Sequence, residues 1–128
     1  MTNPVFIRDL TSPECPIRNV LARIADKWSL LVLYTLSQQN DPMRFKALQR
    51  AIPDISQKML TSTLRTLEQD GFIVRKAYAE VPPRVEYQST ERAASLMPHL
   101  NALFGWAIDH MQSILRDREV YTAKGNES

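Results

Sequence analysis

Five side chains able to hydrogen-bond to nucleic acid, Gln57, Lys58, Thr61, Ser62 and Arg65, lie together in the segment "ISQKMLTSTLRTLEQDG". Glutamine matches the edge of adenine, arginine that of guanine, and serine and threonine bond less selectively. These residues are what remains when Leu60, Leu64 and Leu67, spaced i, i+4, i+7, are placed on the apolar face of a helix. Ser56 is a good N-cap for that helix, and the unpaired N–H groups of its first turn also suit a phosphate. Gly71 stands where a C-cap needs positive φ. Any amphipathic helix has a polar face, but this one carries no acid before Glu68, whereas a solvated face usually mixes signs.

A second stretch, "EVPPRVEY" from Glu80 to Tyr87, places Pro82 and Pro83 between the strand-like runs "FIVRKAY" and "RVEYQ". Proline has no N–H and a fixed φ, so the pair cannot sit inside a ladder but can form the stiff tip of a hairpin. Arg84 follows directly and is expected to be presented at that tip, with Lys76 and Arg75 nearby. A stiff tip loses less entropy on docking, and a guanidinium suits a narrow, electronegative groove. From Arg44 to Arg84 eight cations face four acids, a surplus of four positive charges in a chain of net charge +2. That is a modest footprint for a polyanion.

The elements that must hold these residues follow from periodicity. Pro16 suits the first turn of a helix carrying Ile17, Val20, Leu21 and Ile24 on one stripe. "WSLLVLYTLS" is apolar almost all round, as in a buried helix, and "QQNDPM" reads as a turn. Phe45, Leu48 and Ile52 mark a short helix ended by Pro53. That helix and the Ser56–Asp70 helix, joined by "PDI", make a helix-turn-helix. The hairpin follows, and Thr90 then caps a long helical segment to about Arg118, with a bend or break expected at Pro98. The expected fold is mainly α with a small β-hairpin wing. It is a single winged helix-turn-helix domain with helices at both ends. Residues 1–14 form an arm and 15–118 the domain, with a recognition helix over about 56–70. The wing covers about 72–88 and the C-terminal helical segment about 91–118, leaving 119–128 as a flexible tail.

Other classes are excluded by what the residues lack. The longest apolar run, Leu30 to Tyr34, is too short to cross a bilayer. "MTNPVFIRDL" has no secretory-signal pattern, which with one cysteine gives a cytoplasmic expectation. His99 and His110, eleven residues apart, would stand roughly 16 Å apart along a helix, too far to share a metal. There is no HExxH and no glycine-rich phosphate loop, so neither an enzyme nor a cofactor is expected.

"CPIRNVLARIADKWSLLVLYTL", "RFKALQRAIPDISQKMLTSTLRTLEQDGFIVRKAYAEVPPRVEY" and the following "ST" strongly resemble the HxlR-type winged helix-turn-helix family, relatives of the MarR-type regulators. The likeness covers about Cys15 to Met111. It implies a bacterial, cytoplasmic, nucleoid-associated transcription regulator, commonly a repressor, that binds an inverted repeat in promoter DNA as a homodimer. It further implies a dimer seam on the first and last helices, here at Ile17, Val20, Leu21, Leu103, Phe104, Trp106, Ala107, Met111 and Ile114. The DNA-binding residues are then Gln57, Lys58, Thr61 and Arg65 at base edges. Ser56 and Ser62 lie beside them, and Arg44, Lys76 and Arg84 hold the backbone. Ala79 replaces a proline usual before "EVPPRVEY", and Ser89, Thr90 and Ala93 stand where the family commonly has "L-T-x-x-G". Neither departure touches the expected DNA face.

Cys15 matches a cysteine that several such proteins carry just before the first helix, where some use it to sense oxidants or electrophiles. A helix N-terminus favours the reactive thiolate. Without a second cysteine, any disulfide must be intermolecular or with a small thiol. The rival reading is an unreactive, half-buried cysteine near the dimer seam. For the whole chain, the rival is a winged-helix module that contacts proteins and lacks salt-dependent DNA affinity.

Overall fold

The computed structural model describes residues 9–127, the last by its backbone alone. The first eight residues of the expected arm, and Ser128, lie outside the described residues. The chain forms two compact units, one ending at Ser95 and one starting at Leu96.

In the first unit Pro16 opens α1 (Pro16–Ile24), where its missing N–H would have had no partner. Asp26 then starts α2 (Lys27–Ser37) with a cap of two bonds. The Ser29 N–H donates to its Oδ1 at 2.9 Å and the Ser29 hydroxyl to its Oδ2 at 2.7 Å. That second bond is why a serine can be buried in this helix, beside Val32, Leu33 and Leu36. As "WSLLVLYTLS" predicts, α2 is a central element, packing on α1, α3 and α4.

The turn after α2 leads into β1 (Met43–Arg44), and α3 (Phe45–Ala51) follows at once, closing at Ile52 before Pro53. Next come α4 (Gln57–Gln69), β2 (Ile73–Tyr78) and β3 (Arg84–Ser89). The sheet is antiparallel with order β1-β3-β2, so the expected two-stranded hairpin carries a third strand. Met43 pairs with Tyr87 and Arg44 with Glu86. A two-residue strand has no alternation to detect, so the sequence reads as a turn running into a helix.

α4 is fixed at both ends. The Met59 N–H donates to the Ser56 hydroxyl oxygen at 3.0 Å. At the other end the Phe72 N–H reaches the Leu67 carbonyl at 2.9 Å and the Gly71 N–H the Glu68 carbonyl at 3.1 Å. This is a Schellman closure, with Gly71 at φ 79°. Thr90 ties the closure to the last helix, its hydroxyl donating to the Gly71 carbonyl at 2.7 Å and accepting from the Ala93 N–H at 3.4 Å. Arg92 adds a 2.7 Å bond from Nη1 to the Asp70 carbonyl. A Cβ on Gly71 would stand 2.5 Å from that Nη1 and would hold an L-residue in the left-handed region. Gly71→Ala is therefore expected to cost about 1–2 kcal/mol, lowering the melting temperature by roughly 5–10 °C in a circular-dichroism melt.

α5 (Glu91–Glu127) is one helix of 37 residues, and two expectations are corrected here. It runs through Pro98, so of the expected bend or break the break does not occur, because a proline removes one hydrogen bond and this helix has many others on either side. It also passes the expected end near Arg118. Residues 119–127 are helical where a flexible tail was expected, since Ala123 and Lys124 favour helix and a single Gly125 costs only about 1 kcal/mol. No helix among the described residues is long and apolar enough to cross a membrane.

Candidate nucleic-acid interface

Leu60, Leu64 and Leu67 are buried at 0–2% exposure, which fixes the rotation of α4 about its axis. The opposite ridge therefore faces solvent. Ser56, Gln57, Lys58, Thr61, Ser62 and Arg65 are all exposed, as their spacing predicts. The Thr61 hydroxyl already donates to the Gln57 carbonyl at 2.8 Å, so only its oxygen lone pairs remain for a partner. Lys58 and Arg65 appear in none of the ion pairs found among the described residues.

The wing differs from its expected form at its end. Arg84 is not at the tip: it is the first residue of β3, opposite Tyr78. Its guanidinium lies 3.9 Å from the centre of the Tyr78 ring and its Nη2 is 3.0 Å from a Glu80 carboxylate oxygen. Its Nε is enclosed without a hydrogen-bond partner, and the side chain is only 27% exposed. The stacking and the ion pair draw the cation back onto the stem. The turn between the strands instead exposes Val81 beside Pro82 and Pro83.

Register sorts the remaining cations. Residues directly opposite in an antiparallel pair share a face. Lys76, Glu86 and Arg44 thus form one row across the sheet, on the same face as Tyr78 and Arg84. The structure gathers the three expected backbone contacts, Arg44, Lys76 and Arg84, on this one face. Arg75 and Tyr87 lie on the other, which closes against α4 around a groove of about 400 Å³ lined also by Thr61, Leu64, Arg65 and Glu68.

Cys15 is the N-cap residue of α1, as its position before Pro16 implies, but it is 1% exposed. Of the expected seam on α1, Val20 and Leu21 are exposed and Ile17 half-buried. In the second unit Leu103, Trp106, Met111 and Ile114 are about half exposed, Ala107 is exposed and Phe104 half-buried. Ile108, Leu115, Val120 and Tyr121 extend this apolar surface. The Trp106 and His110 rings stack at 4.3 Å between centroids. Sequence reasoning marks the stripe but not Val120 and Tyr121, because it ends the helix too early.

A helix-turn-helix with an exposed cationic ridge on its second helix, followed by a proline-tipped wing, defines a winged helix-turn-helix transcription regulator. The chain belongs to the HxlR-like helix-turn-helix family, whose profile matches residues 23–114. It is 39% identical over 100 residues to the HTH-type transcriptional regulator BH0655 of Halalkalibacterium halodurans, a match covering 78% of this chain and 88% of that one. Among solved structures, the regulator YtfH from Salmonella typhimurium superposes with a TM-score of 0.77 at 36% identity, covering 87% of this chain and 97% of that one. The redox regulator HypR in its reduced form gives 0.70 at 34% identity, covering 79% and 98%. The protein is thus a transcriptional regulator of the helix-turn-helix type.

Proposed function

We propose that the protein is a sequence-specific repressor that binds an inverted repeat in duplex DNA as a homodimer in the bacterial cytoplasm. The observation that carries this reading is the solvent-facing ridge of α4, where Gln57, Lys58, Thr61, Ser62 and Arg65 are held outward by a buried leucine stripe. Such a helix enters a major groove, while wing cations and backbone amides hold the phosphates. The dimer is supported by the stripe of exposed apolar side chains along α5, Leu103, Met111 and Ile114 among them, since an apolar stripe left in water marks a contact surface. Selection of bound duplexes from a random pool, at stated salt, tests the reading. Enrichment of an inverted repeat is expected. Absence of any enriched duplex would turn the reading toward a protein-contact module.

Cys15 is the candidate sensor in this proposal, supported by the similarity to the redox regulator HypR. Its burial means that an oxidant reaches the sulfur only through a local opening of the structure around it. Titrating wild type and Cys15→Ser with an oxidant should lower DNA affinity at least about 10-fold in the wild type alone, through a mixed or intersubunit disulfide. Identical affinity curves would remove Cys15 as the switch.

A further inference from the structure

The described arginines of the first unit divide into two groups. Arg23 is paired with Asp70 at 2.9 Å, Arg84 with Glu80 at 3.0 Å, and Arg92 donates to the Asp70 carbonyl. Arg18 bonds to the Thr11 carbonyl at 3.3 Å. Arg44, Arg50, Arg65 and Arg75 take part in none of the ion pairs or side-chain hydrogen bonds found among the described residues, and of these four Arg65 and Arg75 line the groove between α4 and the wing. Two guanidinium groups that repel each other in one groove, on separate elements, have donors left for an anion. Glu68 lies in the same groove, yet neither arginine is within 4.0 Å of its carboxylate.

The groove's position indicates which anion. A helix in the major groove and a wing on the flanking minor groove must straddle one sugar-phosphate strand, and that strand runs along the trough between them. We propose that Arg65 and Arg75 form a clamp for a single backbone phosphodiester in this trough, with the Tyr87 hydroxyl as a further donor, which moves Arg65 from the base-edge group to the backbone and leaves base reading to Gln57, Lys58 and Thr61. This rests on the DNA-binding reading and extends it to a contact on the sheet face opposite Arg44, Lys76 and Arg84. Two non-bridging oxygens accept the forked donors of a guanidinium in a way that an ammonium cannot match. Glu68 opposes the phosphate at the C-terminal side of the trough and weakens the clamp. Arg75 is thus a positioning residue: it sets where the strand lies relative to α4 and reads no base.

The test uses the duplex recovered by selection and measures affinity as a function of salt. Arg75→Ala should weaken binding about 10-fold for each half-site and reduce the log–log salt slope by about 0.9 for each protomer. Arg75→Lys should keep the slope but not the full affinity, which a merely structural role would not produce. Glu68→Gln should tighten binding several-fold. A neutral methylphosphonate, moved along the duplex one position at a time, should find one phosphate per half-site whose loss weakens the wild type clearly more than it weakens Arg75→Ala, in which only Arg65 and Tyr87 still reach it. Wild-type binding with an Arg75→Ala variant of equal affinity and slope overturns the clamp and leaves the DNA reading standing. A wild type that binds no duplex overturns both.

Discussion

Replacing Met111 and Ile114 together with glutamate should convert the protein to a monomer and lower its affinity for the selected duplex by about 10²–10⁴-fold. In the single chain both side chains are about half exposed, as are Leu103, Trp106 and Leu115. A 37-residue helix is about 55 Å long, and its apolar positions 103, 107, 111 and 114 return to one face every three or four residues. Two such faces remove each other from water, whereas two buried carboxylates per chain oppose that contact strongly. The loss of DNA affinity would be indirect. One recognition helix binds its half-site with a single module's affinity, and tethering to a second converts the next contact into an intramolecular one. Sedimentation equilibrium reads the oligomer and fluorescence anisotropy the affinity. A variant that stays dimeric with full affinity would place the seam elsewhere.

The second large effect is expected from the hidden side of the recognition helix. Leu60 is fully buried on the face of α4 that meets the rest of the first unit, where α2 and β2 pack. Leu60→Ala removes that burial and leaves a cavity, at a cost of about 2–5 kcal/mol. That is a large share of the roughly 5–15 kcal/mol that holds a small domain folded. The melting temperature should fall by more than about 10 °C. Well below the new midpoint, DNA affinity should stay close to wild type, because no ridge residue has changed. Thermal circular dichroism and low-temperature anisotropy together separate the two. A variant that melts like wild type would mean that Leu60 does not anchor α4.

How much of this was readable beforehand depends on how local the cause is. The leucine stripe of α4, the Ser56 cap and the Gly71 closure are set by residues within one or two turns, so the ridge was legible down to its members. The proline pair likewise marked the hairpin, because proline restricts the chain wherever it stands. What escaped was set at a distance. Arg84 looks like a free cation beside two prolines, and only the register that places Tyr78 across from it shows that its charge is drawn back. Arg75 was visible as a basic residue, but its side of the sheet depends on pairing with Tyr87. The start of a helix leaves Cys15 open between a reactive thiolate and a half-buried, unreactive residue, and its full burial comes from tertiary packing that no local pattern encodes. The end of α5 was misplaced for a different reason. "TAKGNES" is polar and ambiguous, and a helix already established needs little further propensity to continue.

The central claim is that two α4 helices sit in successive major grooves on one side of the duplex, about 34–36 Å apart. Inserting half a helical turn, about five base pairs, between the halves of the selected repeat tests it most directly. Affinity should fall to the single-half-site level and stay there when a full turn of about ten base pairs is inserted, which restores the face of the duplex but adds about 34 Å to the separation. Equal affinity at every spacing would contradict it.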